Sequence, residues 1–160
     1  MEDLKLPPIE RVRERDLDHL LMEELFASDD FRDWFVSKVP TFNPTDPEKV
    51  GVYRADRRQG DLRETDLRVD YFDYSNQPYA SLLIENKVTA PFQPGQPESY
   101  KNEILALQKT LGAENAAAVL VGPDRYQTYD GADQFDAFIS IRQIIDQISD
   151  RLKGDDLSSE

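Results

Sequence analysis

The chain has 160 residues, 39% hydrophobic and 32% charged, which is enough for one domain with a sizeable core. It contains no cysteine, so a disulfide framework and a thiolate zinc site are both excluded, and a cytoplasmic location is expected. A net charge of −13 opposes loose adsorption to nucleic acid, although not an enzyme that gathers its basic residues on one side; plain solubility accounts for the charge equally well.

The opening "MEDLKLPPIERVRERD" is charged and has no apolar h-region, so it does not read as a signal peptide. The apolar runs "ASLLI" and "AAAVLV" are too short to cross a bilayer, and no membrane association is expected. One domain over residues 1–160 is expected, with frayed ends at about 1–8 and 154–160. Leu17, Leu20, Leu21 and Leu25 recur at helical spacing, and Phe31, Trp34 and Phe35 continue an apolar face after Ser28 or Asp29, either of which would cap a new turn. "VPTFNPTDPEK", with three prolines, is a loop. Residues Val50 to Ala55 form the first expected strand, and Leu67, Val69 and Tyr71 alternate with Asp66, Arg68 and Asp70 as in a half-buried second one. After a turn at "DYSNQP", "YASLLIENKV" returns as a third strand. "PESYKNEILALQKTLG" is helical, with Pro97 in its first turn and Gly112 at its stop. "AAAVLVGP" is a buried strand, and "FDAFISIRQIIDQISDRL" a closing helix whose first residues would equally extend a strand. The pattern predicts an α/β or α+β fold, a mixed sheet of four to five strands flanked by helices.

Chemistry concentrates at the end of the third strand. Glu85 and Lys87, two apart, share a face, and the preceding "LLI" places them on a central strand where lone charges are costly. Asp66 on the neighbouring strand can lie beside Glu85, and two converging carboxylates suit a hard divalent cation. A lysine beside such an ion can orient water and steady developing phosphate charge. Counted at about 100° per residue, Glu24 falls near the centre of the leucine stripe of the first helix; it either joins the site or pairs with an arginine.

These residues resemble the PD-(D/E)xK nuclease superfamily with its restriction-endonuclease-like fold. "ETDLRVDYFD" is similar to that family's metal-binding aspartate strand, although Thr65 stands in the place of its proline, and "LLIENKV" to its (D/E)xK strand. "QPGQPESY" resembles the Q-x-x-Q-x-x-x-Y segment of some bacterial branches, and "LDHLLMEELFASDDFRDWF" their first helix. The resemblance implies a nuclease using Mg²⁺, or Mn²⁺ in its place, to hydrolyse phosphodiester bonds, with DNA expected ahead of RNA and the residues not separating the two. It implies Asp66, Glu85 and the Asn86 backbone carbonyl as metal ligands, with Glu24 at a second ion or a metal-bound water. Lys87 would activate the attacking water and Gln96 orient it, while Gln93 and Tyr100 would support the substrate.

Arg54, Arg57, Arg58, Arg63 and Arg68 gather around the first hairpin as a phosphate-contacting patch, although the acids interleaved with them make a salt-bridged surface an equal expectation. Arg54 and Arg68 are the substrate-binding candidates among them. Asp70 is a rival to Asp66, Trp34 is expected in the core, and His19, the one histidine, at a surface or boundary. Neither a Walker A nor a dinucleotide loop is present. Two other functions fit the residues: a catalytically silent module of the same fold, binding nucleic acid or protein in a larger assembly, and an interaction protein in which Glu85 and Lys87 simply pair. A homodimer and a partner domain both remain open.

Overall fold

The computed structural model describes residues 14–57 and 64–158. Helix α1 (Glu14–Ala27) buries Leu17, Leu21 and Leu25, one residue per turn, whereas Leu20 is 40% exposed. Ser28 ends it and starts α2 (Asp29–Ser37): its backbone is extended, and its hydroxyl accepts from the Phe31 N–H at 3.1 Å. The expected first helix is therefore two. α2 sends Phe31 and Phe35 into the core, and Trp34 is half-buried against it. The loop that follows plugs the same core with Phe42, edge-on to Tyr71 at 5.8 Å.

Strands β1 (Lys49–Arg57), β2 (Glu64–Phe72) and β3 (Pro78–Asn86) form an antiparallel meander. Asp73 shapes the β2–β3 turn by accepting from the N–H groups of Ser75 and Gln77, and Asn76 takes the left-handed conformation there, φ 58°. The chain then crosses through α3 (Gln96–Leu111) to β4 (Ala116–Gly122), which runs parallel to β3. Every residue of β4 is buried, as befits a parallel strand covered on both faces. Two 3-10 turns, Asp124–Thr128 and Ala132–Gln134, lead to β5 (Ala137–Ser140), parallel to β4, and to α4 (Ile141–Ser158).

The fold is thus α+β, a five-stranded mixed sheet in the order β1-β2-β3-β4-β5 between helices. Alternation along the strands divides the core into two layers. On one face Leu67, Val69, Leu82, Ile84 and Val119 meet α1, α2 and the start of α4. On the other, Leu83, Ala116, Ala118 and Leu120 meet Tyr100 and Ile104 of α3, with Tyr126 and Phe135 beside them. The first residues of the expected closing helix pair as β5, because a parallel edge satisfies their backbone groups beside β4. Residues 154–158, expected to fray, continue α4; the expected fray at about 1–8 lies outside the described residues. No helix among the described residues is long and apolar enough to cross a membrane.

Candidate functional site

The register of β2 against β3 builds the site. Leu67 pairs with Ile84, and one step further along the same register sets Asp66 opposite Glu85. Directly opposed residues share a face, so both carboxyls lie on the α3 side of the sheet. The Asn86 N–H donates to Asp66 Oδ2 at 2.8 Å, which fixes the aspartate at the end of the ladder. Gly122 allows β4 close against the end of β3: a β-carbon there would stand 3.0 Å from the Lys87 carbonyl oxygen, whose own N–H donates to Val121 at 2.8 Å.

Glu85 is 2% exposed and is held by three side chains. The chain turns into α3 through Gly95, φ 74°, where a side chain would be strained. Gln96 and Tyr100 then stand one helical turn apart on the same side. Gln96 Nε2 donates to Glu85 Oε1 at 2.7 Å, and the Tyr100 hydroxyl donates to Oε2. Lys87 Nζ lies 3.3 Å from Oε1, donates to the Pro91 carbonyl at 3.4 Å and sits 5.7 Å above the centre of the Phe92 ring.

Electrostatics follow from this burial. Desolvation raises the Asp66 carboxyl from its ordinary 3.8 to about 8; Glu85 and Asp18 add to the shift, while the Asn86 N–H and Lys87 oppose it. Burial pushes Glu85 up as well, against the Tyr100 hydroxyl and Lys87, and the two acids are close enough to share a hydrogen bond. At neutral pH the pair therefore retains a proton, positioned where a cation would relieve the same repulsion.

Asp18 is the site's unforeseen member. Its Oδ1 accepts from Asn86 Nδ2 at 2.6 Å, and burial raises its carboxyl against that hydrogen bond and Arg54. Asn86 thus bridges Asp18 on α1 to Asp66 on β2, while its own Oδ1 is buried without a partner among the described residues. Glu24, expected here, is gripped instead by both terminal nitrogens of Arg151 from α4, Nη2 at 3.0 Å.

The other candidates divide. Tyr100 is fully buried and orients Glu85 rather than meeting a substrate. Gln96 is engaged at both ends, because its Oε1 accepts from the Gln93 N–H at 3.1 Å; the Gln93 side chain is exposed. Arg54 lies on the α1 side of the sheet, 2.7 Å from His19 Nε2, whereas Arg68 shares the face of Asp66 and is bound to Asp70 at 2.9 Å. Asp70 is therefore engaged by an arginine rather than a rival acid. Arg58 and Arg63, and the side chain of Arg57, lie outside the described residues.

The donor set, two carboxyls brought together from adjacent strands, is of the oxygen chemistry that suits a hard divalent cation. No group of three or more acid, histidine or cysteine ligands poised around an ion occurs among the described residues. A cavity of about 320 Å³ opens elsewhere, beside Ile141 and Ile145 at the start of α4, so the acid pair stands out by its chemistry rather than by concavity. No family model, curated protein or solved structure matches the chain.

Proposed function

We propose that the chain is a divalent-metal-dependent nuclease domain that hydrolyses phosphodiester bonds in DNA. The observation that carries this reading is the convergence of Asp66 and Glu85 from adjacent strands, with Lys87 bound to Glu85. Further support comes from the order of elements: helices, a three-stranded antiparallel meander, a crossover helix and a parallel strand. That order agrees with a restriction-endonuclease-like fold and with the PD-(D/E)xK resemblance of "ETDLRVDYFD" and "LLIENKV".

Asp66, Glu85 and the Asn86 carbonyl would hold Mg²⁺ or Mn²⁺. Bound there, the ion would supply charge neutralisation at the phosphate and a more acidic water. The chain's own residues do the positioning. Asn86 sets Asp66 through its N–H, and Gln96 and Tyr100 set Glu85. Lys87 brings a cation to the rim of the pair, where it can orient the attacking water and stabilise charge developing on the phosphate oxygens. Water attack at phosphorus forms one P–O bond as the leaving oxygen departs with the electrons of the other.

The test is incubation of the purified chain with single- and double-stranded DNA and RNA, in Mg²⁺, Mn²⁺ or chelator. Metal-dependent cleavage that Asp66→Ala and Glu85→Ala both abolish is the expected result. Cleavage that proceeds fully in chelator overturns the reading, and no cleavage of any substrate leaves the silent-module reading in its place.

A further inference from the structure

One surface beside the acid pair has no part in holding it. On the sheet face that bears Asp66, β1 presents Lys49, Gly51 and Tyr53, and β2 presents Phe72, Asp70 and Arg68. Tyr53 stands opposite Arg68, and Gly51 opposite Asp70. The Tyr53 side chain folds back along its own strand so that its phenolic end lies over Gly51: a β-carbon at position 51 would stand 2.5 Å from the phenolic oxygen and 2.8 Å from Cζ. Glycine inside a strand weakens it and marks a close approach, and what approaches here is the phenolic end of an aromatic side chain. The residue remains 43% exposed. On this side of the sheet α3 packs over β3 and β4, leaving the ring accessible among the described residues.

We propose that Tyr53, seated on Gly51, is a stacking platform for an unpaired base, which makes single-stranded nucleic acid the substrate of the acid pair. The inference rests on the nuclease reading and specifies its substrate. A base inside a duplex already has both faces stacked, whereas a base in a single strand can lie on an exposed aromatic ring. Two cations on the same face suit the backbone phosphates: Arg68, tethered by Asp70, and Lys49, whose Nζ lies 4.7 Å from the centre of the Phe72 ring. Gly51 is level with Asp70, four residues from Asp66, about 13 Å along the strand. A strand stacked on Tyr53 reaches the carboxyls within a few nucleotides. With a net charge of −13, the chain repels phosphates over most of its surface, and stacking is a source of grip that the charge does not diminish.

The experiment measures anisotropy of a labelled oligothymidine, the same strand with abasic sites, and a duplex, all in chelator so that binding is read without hydrolysis. The wild-type chain is expected to bind the base-bearing strand about tenfold more tightly than the abasic one, and more tightly than the duplex. Tyr53→Ala should remove that difference and Tyr53→Phe should keep it. Gly51→Ala, which lifts the ring, should weaken it and is the deciding variant if Tyr53→Ala does not melt cooperatively. The proposal is overturned if the wild type prefers neither bases nor single strands, or if the preference survives Tyr53→Ala in a folded protein. A Tyr53-dependent preference without cleavage in Mg²⁺ sinks the nuclease reading and leaves the platform standing. Cleavage without that preference does the reverse.

Discussion

Replacing Asp66 with asparagine isolates the acid pair in a stability measurement that requires no substrate. Asp66 titrates at about 8 in the fold against an ordinary 3.8. Between those values the folded state binds more protons than the unfolded one, so stability falls as pH rises and levels off above about 8. The full shift, at about 1.4 kcal/mol per unit, amounts to on the order of 5 kcal/mol. Asparagine retains an acceptor for the Asn86 N–H but cannot ionise. In chelator the wild type should lose melting temperature from pH 6 to pH 8.5, while Asp66→Asn stays nearly level and melts higher at the alkaline end. At about 3 °C per kcal/mol for a domain of this size, the roughly two pH units titrated between 6 and 8, about 3 kcal/mol, make the wild-type loss on the order of 10 °C. Mg²⁺ at pH 8 should raise the wild-type melting temperature and leave the variant unmoved, because the ion relieves a repulsion the variant no longer has. Parallel pH profiles for the two proteins, by scanning calorimetry, would refute both the buried-pair argument and the cation site built on it.

Other expectations test neighbouring contacts. Lys87→Ala should lower cleavage by roughly two orders of magnitude; because Lys87 and Glu85 form a buried pair, it should also cost about 3 kcal/mol in denaturant melts. Equal cleavage by wild type and variant would remove the lysine from the mechanism. Tyr100→Phe deprives Glu85 of the donor that most opposes its upward shift, so calorimetry should show weaker Mn²⁺ binding at pH 7 and stability lower by about 1–3 kcal/mol. Glu24→Gln and Arg151→Ala should each lower stability by about 1 kcal/mol and couple in a double-mutant cycle, without changing metal affinity. A loss of metal binding in Glu24→Gln would return that residue to the site.

The acid pair was legible in the sequence because strand geometry is nearly digital. Once Leu67, Val69 and Tyr71 alternate with charged residues, and "LLI" leads into Glu85, a hairpin register that buries both apolar sets also brings Asp66 opposite Glu85. The helix turning in after Gly95 is less constrained, yet the one-turn spacing of Gln96 and Tyr100 was enough to aim both at one carboxylate. The α1 acid was not readable in the same way. Leu17, Leu21 and Leu25 define the buried stripe, and Glu24 and Asp18 flank it at about 60° on either side. Counting Leu20 as core tilted the choice toward Glu24, but Leu20 is 40% exposed. The deciding partners, Asn86 for Asp18 and Arg151 for Glu24, lie 68 and 127 residues away in the chain. A helix stripe fixes which side of an acid faces the core; only the tertiary partner decides whether that acid is neutralised by an arginine or turned toward the sheet. The same reasoning explains the neglect of Tyr53, where the informative residue is Gly51, whose lack of a side chain acquires meaning only once the ring is seen lying over it.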